Sequence, residues 1–345
     1  MNKLFQGLSL VAIALSAGFS SPARAQPLYH LVQTVPLGGS VKWDYLRFDA
    51  PSARLFIAHG TEITVVNTKT LTVIGELPGT DGAHGIAVDP ATGVIYADSS
   101  EKRLAIAFNP KTFAPLARIP VVLDADGMTY DPASRQIFVT GGDGDAITPI
   151  NPATDKPAAD IALSGSPEFL SADGAGSLYV NIVDKNQLVR IDTATDTISA
   201  RWPLSTCTSP KGLAIDPAAR LVFSSCSSGV MTVVNATTGT LVATLPIGKG
   251  TDSAAFDPVR QRAFSANGDG TLSVISDATP GHPIALGTVT TQPGARTMAV
   301  DPATGRIFLV TAAVSQTIPS ATPTDHPHYV FAPGSFKLLV YAPGA

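Results

Sequence analysis

The chain has 345 residues, with 27 aspartates and glutamates against 23 lysines and arginines, and a net charge of −4. No run of lysine and arginine interrupts this acidic balance, which excludes nucleic-acid binding through a clustered basic surface. Its 30 glycines, its 28 prolines and a charged fraction of only 14% favour a β-rich protein with many tight turns.

The first 25 residues have the parts of a secretory signal peptide. Lys3 supplies the positive charge, residues 8–19 form an apolar run, and the sequence ARA at 23–25 is the cleavage site. The run is shorter than the ~20 residues that span a bilayer, and no cysteine follows the site to carry a lipid anchor. We therefore expect residues 26–345 to be exported to the periplasm or secreted, as a monomer without a membrane span.

After a strand predicted over residues 29–37, one motif recurs at a nearly constant interval, which is typical of a repeat fold. The sequence GIAVDP at 85–90 returns as GLAIDP at 212–217 and as TMAVDP at 297–302. An Asp-Pro pair starts a turn because the carboxylate bonds nearby amides and proline presets φ. The aspartate recurs every 40 to 44 residues, as Asp49, Asp89, Asp131, Asp173, Asp216, Asp257 and Asp301.

An aromatic residue follows each aspartate by six or seven positions, and a second turn marker, Asn/Asp-x-x-Thr, recurs in five units. Each unit then reads as four strands, predicted in the second unit over about 85–88, 94–98, 104–108 and 114–121. Four strands in about 40 to 45 residues make one propeller blade, so the sequence predicts a single all-β domain, a seven-bladed β-propeller. The seventh unit ends at 341–343 without a fourth strand. We expect the strand at 29–37 to complete blade seven and to remove an open sheet edge.

The segments FIAH at 56–59, FVTG at 138–141 and YVN at 179–181 occupy one position in their units. There they resemble the namesake segment of the YVTN-repeat, YncE-like family of exported seven-bladed propellers, and the resemblance covers the whole chain after the signal peptide. It implies the propeller fold. Because the wider superfamily includes lactonases, lyases and non-catalytic binding proteins, the resemblance implies no single activity.

The first strand of each unit lines the central channel. The residues one and three positions before the repeat aspartate are mostly large and apolar, and the residue two positions before it is usually small, as expected where blades approach closely. The 23 basic, 27 acidic and 6 histidine residues are a minority of the chain. Yet every unit has one of them five positions before the aspartate, so we predict a charged ring at one mouth of the channel. The ring residues are Asp44, His84, Asp126, Glu168, Lys211, Asp252 and Arg296.

Part of this ring is expected to neutralise itself, because Lys211 and Arg296 each lie between two acidic members. The remaining arc of Asp44, His84 and Asp126 contains no lysine or arginine. Neighbouring carboxylates raise each other's pKa or capture a cation, and a histidine between them suits a general base or a metal ligand. The alternative is a purely structural ring of salt bridges.

Three further residues are candidates for ligand binding at this mouth. The second strand of blade one ends at His59, and Trp43 and Tyr45 flank the first ring residue, where they are expected to wall a pocket. For His59 the alternative is a loop histidine bonded to backbone.

Both cysteines also map to this mouth. Cys207 lies in the loop before blade five, and Cys226 ends the second strand of that blade. In an oxidising compartment we predict that they form a disulfide, and thiolate ligation of a metal is the alternative.

Blade seven carries an insertion of roughly 20 residues between its second and third strands, at about 313–335, and loops of this length are usually functional or disordered. Because the second strand returns to the charged mouth, the insertion leaves from there. It contains His326, His328 and Tyr329, which we interpret as parts of a lid over the ring. The alternative is a solvated proline-rich loop.

Several cofactor and nucleophile signatures are missing from the sequence. It has no C-x-x-C-H motif for haem, no glycine-rich phosphate loop for a nicotinamide nucleotide, and no G-x-S-x-G elbow. Trp43 and Trp202 are its only tryptophans, so it lacks the tryptophan-rich blades of quinoprotein dehydrogenases that bind PQQ. A divalent cation remains open: Ca²⁺ or Mg²⁺ on the carboxylates of the arc, or a transition metal if His59, His84 and the loop histidines converge.

The sequence favours an exported enzyme of the lactonase, other hydrolase or lyase type that binds a small organic molecule at the charged mouth. His84 would be the general base, and the carboxylates of the arc, with Glu168, would orient it or hold the cation. Lys211 and Arg296 would stabilise an oxyanion or bind a substrate carboxylate. The alternative is a non-catalytic envelope propeller that recognises a protein, a peptide or a glycan with its loops.

Overall fold

The computed structural model of the protein describes residues 27–279, 281–320 and 327–344. The predicted signal peptide and its cleavage site, as well as His326, lie outside the described residues. Within them, the regular structure is almost entirely β and forms seven sheets of four strand positions each, besides one two-stranded hairpin. Short 3₁₀ helices occur at Ser100–Lys102 and Val183–Lys185.

The seven blades follow one another along the chain, after a first strand, β1 (Tyr29–Pro36). Blades one and two consist of β2 (Leu46–Asp49), β3 (Arg54–His59), β4 (Glu62–Asn67), β5 (Thr72–Pro78), β6 (Ile86–Val88), β7 (Ile95–Ser99), β8 (Leu104–Phe108) and β9 (Pro115–Pro120). In blade three, β10 (Ala125–Asp131), β11 (Gln136–Gly141) and β12 (Ala146–Asn151) precede an outer strand in two pieces, β13 (Lys156–Pro157) and β14 (Ile161–Ala162). Blade four consists of β15 (Pro167–Ala172), β16 (Ser177–Ile182), β17 (Gln187–Asp192) and β18 (Thr197–Pro203).

Blades five and six repeat the same plan. They consist of β19 (Pro210–Asp216), β20 (Leu221–Cys226), β21 (Val230–Asn235), β22 (Leu241–Pro246), β23 (Thr251–Asp257), β24 (Arg262–Asn267), β25 (Thr271–Ser276) and β26 (Ile284–Thr290). Blade seven contains β27 (Met298–Asp301), β28 (Arg306–Thr311) and, after a separate hairpin of β29 (Val314–Ile318) and β30 (His328–Phe331), β31 (Lys337–Pro343). The four strands of the second unit agree with the prediction to within about two residues.

The blades close into a ring. The first strand of each blade contacts the first strand of the next, and β27 of blade seven contacts β2 of blade one. The outer position of blade seven is filled by β1, which pairs antiparallel with β31 from Tyr29 opposite Pro343 to Pro36 opposite Lys337. The predicted closure by the N-terminal strand is therefore confirmed.

The repeated aromatic column forms the contacts between blades. Its members are each at most 2% exposed: Phe56, Tyr96, Phe138, Tyr179, Phe223, Phe264 and Phe308. Each packs in a cluster with the apolar first and second strands of the following blade, as Phe56 does with Ile86 and Ile95. Fully burying one such side chain stabilises the fold by about 1.5 to 3 kcal/mol. The same column in every repeat thus supplies all seven interfaces.

The repeated aspartate column forms the turns, as predicted. In all seven blades its carboxylate accepts the backbone N–H of a residue two or three positions later, for example Asp216 from Ala218 at 2.9 Å. This Asx-type bond fixes the sharp return from the first strand to the second. This turn sets the register of each first strand, and it therefore determines which end of the strand carries the charged residue.

First strands of neighbouring blades approach closely at the residue four positions before the aspartate in the blades where that residue is glycine. A Cβ atom on Gly85 would lie 2.3 Å from the carbonyl oxygen of Asp126 in the next blade, and one on Gly212 would lie 2.4 Å from the backbone of blade six. The small residues two positions before the aspartate also lie between blades, where Ala87, Ala214 and Ala299 each pack in a cluster with the following blade. The glycines at 85, 127 and 212 are the sequence signal for the close approach four positions before the aspartate.

Candidate functional site

The structure brings the seven ring residues together at one end of the channel. Asp126, Glu168, Lys211 and Asp252 lie at the beginning of the first strands of their blades, and the other three immediately precede theirs. Their charges act across the ring: after burial, the largest influence that raises the pKa of Asp44 is the charge of Asp252, on blade six. The charged column read from the sequence is thus one cluster in space.

The two lysine and arginine members each bind one acidic neighbour. Lys211 Nζ lies 3.0 Å from both carboxylate oxygens of Glu168, and Arg296 Nε donates to Asp252 Oδ2 at 2.7 Å. Burial alone would lower the pKa of Lys211, but the charge and hydrogen bond of Glu168 together with the charges of Asp252 and Asp126 outweigh burial, and the pKa is raised. These pairs neutralise two of the four acidic ring members, as the sequence predicted.

His84 lies between three oxygen atoms. Its Nε2 is 3.7 Å from Asp44 Oδ2, and its Nδ1 is 3.2 Å from the carbonyl oxygen of Ala125 and 3.5 Å from Asp98 Oδ2. Burial alone would lower the pKa of His84, but the bond to Asp98 and the surrounding carboxylates raise it to about 10. A pKa raised in this way favours the imidazolium form at neutral pH, in which both ring nitrogens donate hydrogen bonds.

Asp98 is a site residue that the sequence reasoning missed. It is fully buried on β7, and its Oδ1 accepts the backbone N–H groups of His84 and Gly85, both at 2.8 Å. It thereby fixes the backbone of the ring as well as the charge of His84.

Asp98 belongs to a column of buried polar residues on the second strands. Thr140 accepts the N–H of Gly127 at 2.7 Å and lies 3.1 Å from the carbonyl oxygen of Glu168 in the next blade. Asn181 donates to the carbonyl oxygen of Lys211, also in the next blade, at 2.8 Å. The signal was present in FVTG and YVN, whose third residues are these two. Their role in holding the ring backbone could not be read from one strand alone.

Asp126 is the ring carboxylate without a cation. Within the described residues its side chain has no hydrogen-bond or ion-pair partner, although it is largely surrounded by protein. Burial, followed by the charges of Glu168 and Asp44, raises its pKa well above the usual aspartate range. Burial and the charge of Asp252 likewise raise the pKa of Asp44 to about 7. The mouth thus holds two carboxyl groups with raised pKa values, Asp44 and Asp126, in one ring with three cations.

An aromatic pair closes the channel beneath the ring. Tyr45 of blade one and Phe169 of blade four meet edge to face with ring centroids 4.9 Å apart. Because blades one and four are not neighbours, this contact crosses the channel. The Tyr45 hydroxyl lies 3.5 Å from Glu168 Oε1, and burial raises its pKa well above the usual value. Tyr45 therefore forms the floor of the mouth.

The mouth extends sideways into a cleft between blades one and two. This cleft has a volume of about 510 Å³, and its lining includes Trp43, Asp44, His84, Lys42 and Glu101. It is large enough for a small organic molecule that reaches the Asp44–His84 pair.

His59 lies beside the mouth and faces inward. It is 4% exposed and stacks on Phe336 with ring centroids 4.3 Å apart. Its Nε2 is 2.8 Å from the carbonyl oxygen of Ser40, and its Nδ1 is 3.0 Å from the Thr64 hydroxyl. Both nitrogens are therefore occupied, and the structure does not bring His59 to the arc.

The hairpin of the blade-seven insertion is anchored at the mouth by Phe331. The Phe331 ring packs on Trp43 at 4.8 Å, and the two line a pocket of about 230 Å³ together with Arg296. The Tyr329 ring lies 6.4 Å from that of Phe331, and its pKa is raised by burial and by the charge of Asp269 on blade six. His328 is exposed on β30. The predicted ligand roles of Tyr329 and His328 therefore stay predictions.

The predicted disulfide is present. Cys207 and Cys226 are bonded, with Cα atoms 5.4 Å apart, and both are buried. The bond ties the loop before β19, which carries Lys211, to the end of β20. In the part of the chain that the structure describes, no three His, Cys, Asp or Glu side chains are grouped to hold a metal ion. The metal role of Asp44, His84 and Asp126 stays a prediction.

Comparisons with known proteins concern the fold alone. No protein-family model and no curated protein matches the sequence. Among solved structures, hydrazine synthase from Kuenenia stuttgartiensis is similar, with a TM-score of 0.66 over 80% of this chain and 92% of that chain, at 16% sequence identity. Within the described residues, no helix is long and apolar enough to cross a membrane.

Proposed function

We propose that the charged mouth binds a small cyclic ester or a related carbonyl compound and hydrolyses it, with Asp126 as the acid–base group. The observation that carries this proposal is the unpaired Asp126 carboxyl with its raised pKa, in the same ring as the cations His84, Lys211 and Arg296. General bases work best when their pKa lies near the operating pH. An aspartate with an ordinary pKa near 3.9 would be a weak base.

The proposed reaction is lactone hydrolysis by an activated water molecule. Ionised Asp126 takes a proton from the water as its oxygen bonds to the carbonyl carbon. The resulting oxyanion is stabilised by the N–H groups that His84, Lys211 and Arg296 present to the mouth. When the intermediate collapses, the ring C–O bond breaks and protonated Asp126 returns its proton to the leaving alkoxide oxygen. The product hydroxy acid then ionises and releases one proton.

This assignment moves the base from His84 to Asp126. His84 is held as an imidazolium by Asp44 and Asp98, so it suits an electrostatic role. Asp44, with a pKa near 7, remains next to it and is neutralised in part by it. The Tyr45–Phe169 floor supports the proposal because it limits the mouth to small ligands.

The test is proton release from δ-valerolactone and γ-butyrolactone in a pH-stat at pH 8. We expect hydrolysis above the buffer rate, reduced about 100-fold or more in Asp126→Asn, because a positioned base contributes about 10² to 10⁴. Asp143→Asn is the matched control, since Asp143 is an exposed carboxylate on the same blade. No hydrolysis by the unaltered protein would overturn the reaction, and full activity in Asp126→Asn would overturn the role of Asp126.

A second candidate function, recognition of a partner protein, is favoured by the hairpin. Val314, Ile318 and Val330 are 37%, 45% and 43% exposed on β29 and β30, beside the mouth. Substituting all three by serine should leave lactone hydrolysis unchanged if the hairpin serves a partner. A loss of hydrolysis would instead make the hairpin part of the small-molecule site.

The proposal also includes the family resemblance, export from the cytoplasm and a bound divalent cation. The resemblance to the YVTN-repeat, YncE-like family and the periplasmic or secreted location rest on the sequence, and the disulfide supports an oxidising compartment. N-terminal sequencing of the exported protein would test cleavage after Ala25. Elemental analysis of the purified protein, with Asp126→Asn alongside, would test for a bound divalent cation.

A further inference from the structure

The channel below the Tyr45–Phe169 floor contains a second cavity. It has a volume of about 270 Å³ and is lined by the first strands of several blades. Its lining combines polar groups with apolar side chains, among them Leu46, Met128 and Met298. It is separate from the charged mouth because the aromatic pair lies between the two.

Arg47 is the one charged side chain among the described residues that line this cavity. It stands two positions before the repeat aspartate of blade one. The six equivalent positions carry small residues: Ala87, Thr129, Ser171, Ala214, Ala255 and Ala299. The arginine therefore departs from the repeat at a position where only the channel gives room for a long side chain.

The Arg47 side chain lacks a counterion. It makes no hydrogen bond, ion pair or ring contact with any described residue, and it is exposed to the cavity although the first strands surround it. The nearest acidic influence is Asp49, whose carboxylate accepts the N–H of Ser52 at 3.2 Å in the repeat turn. Burial lowers the pKa of Arg47 more than Asp49 raises it. A guanidinium that faces a cavity without a protein partner is free to pair with an anion that enters the cavity.

We propose that this cavity is a second ligand site, which binds a small carboxylate with an apolar body. The guanidinium matches a carboxylate with two parallel hydrogen bonds. The leucine and methionine walls would contact the apolar part of the ligand. Because the floor and the acidic ring close the other end, the ligand enters from the face that carries the aspartate turns.

The test uses sodium hexanoate as the probe, with acetate and phosphate as comparison anions. In protein labelled at its methionine methyl groups, we expect hexanoate to shift the NMR signals of Met128 and Met298, which line the cavity, and not that of Met231, which is fully buried elsewhere. We expect the affinity to fall at least tenfold in Arg47→Met, since a charge-assisted pair contributes about 1.5 to 3 kcal/mol.

Two control variants show whether a loss of hexanoate binding is specific to Arg47. Arg118→Met removes an exposed arginine and should bind hexanoate as the unaltered protein does. Asp126→Asn should also bind it normally, which separates this site from the mouth. The proposal is overturned if hexanoate shifts neither Met128 nor Met298, or if Arg47→Met binds it equally well. If acetate or phosphate binds as tightly as hexanoate, the proposed contact between the cavity and an apolar ligand body is wrong.

Discussion

At the scale of single residues, the charge of His84 decides which groups at the mouth can do chemistry. Asp98 and Asp44 hold the histidine protonated, while Asp126 keeps no such partner. The charge state of each residue at the mouth thus depends more on whether a counterion lies within reach than on the residue type. Two predictions test this dependence, one on the charge of His84 and one on the buried carboxyl of Asp277.

His84 should contribute stability that disappears in alkali. Its folded pKa of about 10 lies above the ordinary value of about 6.5, so its stabilising effect is present below pH 6.5 and is lost as the pH rises toward 10. We expect His84→Gln to be less stable than the unaltered protein at pH 6, by about 2 kcal/mol. The gap should close near pH 10. Urea unfolding at both pH values measures it, and a gap that does not depend on pH would refute the charged state of His84.

Asp277 should have the opposite effect on stability. It is buried, and burial together with a hydrogen bond to Asp216 and the charge of Asp216 raises its pKa to about 7. The unfolded carboxyl ionises near pH 3.9, so stability falls as the pH rises from about 4 to 7. We expect Asp277→Asn to be more stable than the unaltered protein at pH 8, by roughly 2 to 4 kcal/mol, and similar at pH 4.

The control for this prediction is Asp143→Asn, an exposed change of the same kind. It should be neutral at both pH values. Equal unfolding midpoints for Asp277→Asn and the unaltered protein at pH 8 would show that Asp277 is not held neutral.

At the scale of elements, the second strand of each blade supports the ring on the first strands. Buried polar side chains at one position of β7, β11 and β16 bond the backbone that carries His84, Glu168 and Lys211. The disulfide adds a covalent tie at blade five. The mouth is therefore held by regular strands, which keep its groups in fixed positions better than loops would.

Thr140 tests this support without changing a charge. Thr140→Val is nearly isosteric but leaves the N–H of Gly127 without its partner. We expect a loss of about 1 to 3 kcal/mol in the free energy of unfolding, the cost of an unsatisfied buried donor. Thr288→Val, an exposed change on β26, should have little effect. If both variants unfold at the same urea concentration, the bond at Thr140 does not support the ring.

The disulfide should contribute stability through the 19-residue separation of Cys207 and Cys226. Closing a loop of about this length stabilises a fold by about 3 kcal/mol. We expect the double change to alanine to lower the unfolding midpoint, and dithiothreitol to lower that of the unaltered protein but not of the variant. A midpoint insensitive to reductant in both proteins would contradict this.

At the scale of the whole molecule, the repeat explains what the sequence could predict. The period, the aspartate turns and the aromatic column recur in every unit, so blade number, closure by β1 and the ring column were all readable. The Tyr45–Glu168 contact joins residues 123 positions apart, across the channel. No spacing in the sequence indicates such a contact, and the same holds for the cavity around Arg47.

The charge states could not be predicted for a related reason. His84 is the member of a readable column, but its charge depends on Asp98, which is 14 residues later on another strand. The hairpin shows the same limit, because its histidines drew attention while Phe331 makes the contact with Trp43. The residue type at each position can be read from the sequence. Which side chains form ion pairs or contacts depends on which strands lie side by side in the fold.

The proposed site depends on Asp126 being an unpaired carboxyl whose pKa is raised well above the usual aspartate range. A titration of its side-chain carboxyl carbon by NMR, assigned with Asp126→Asn, measures this without knowledge of the substrate. We expect a midpoint well above the ordinary aspartate value of about 3.9, because burial and the charges of Glu168 and Asp44 oppose ionisation. A midpoint at or below that value would contradict the proposed role of the mouth.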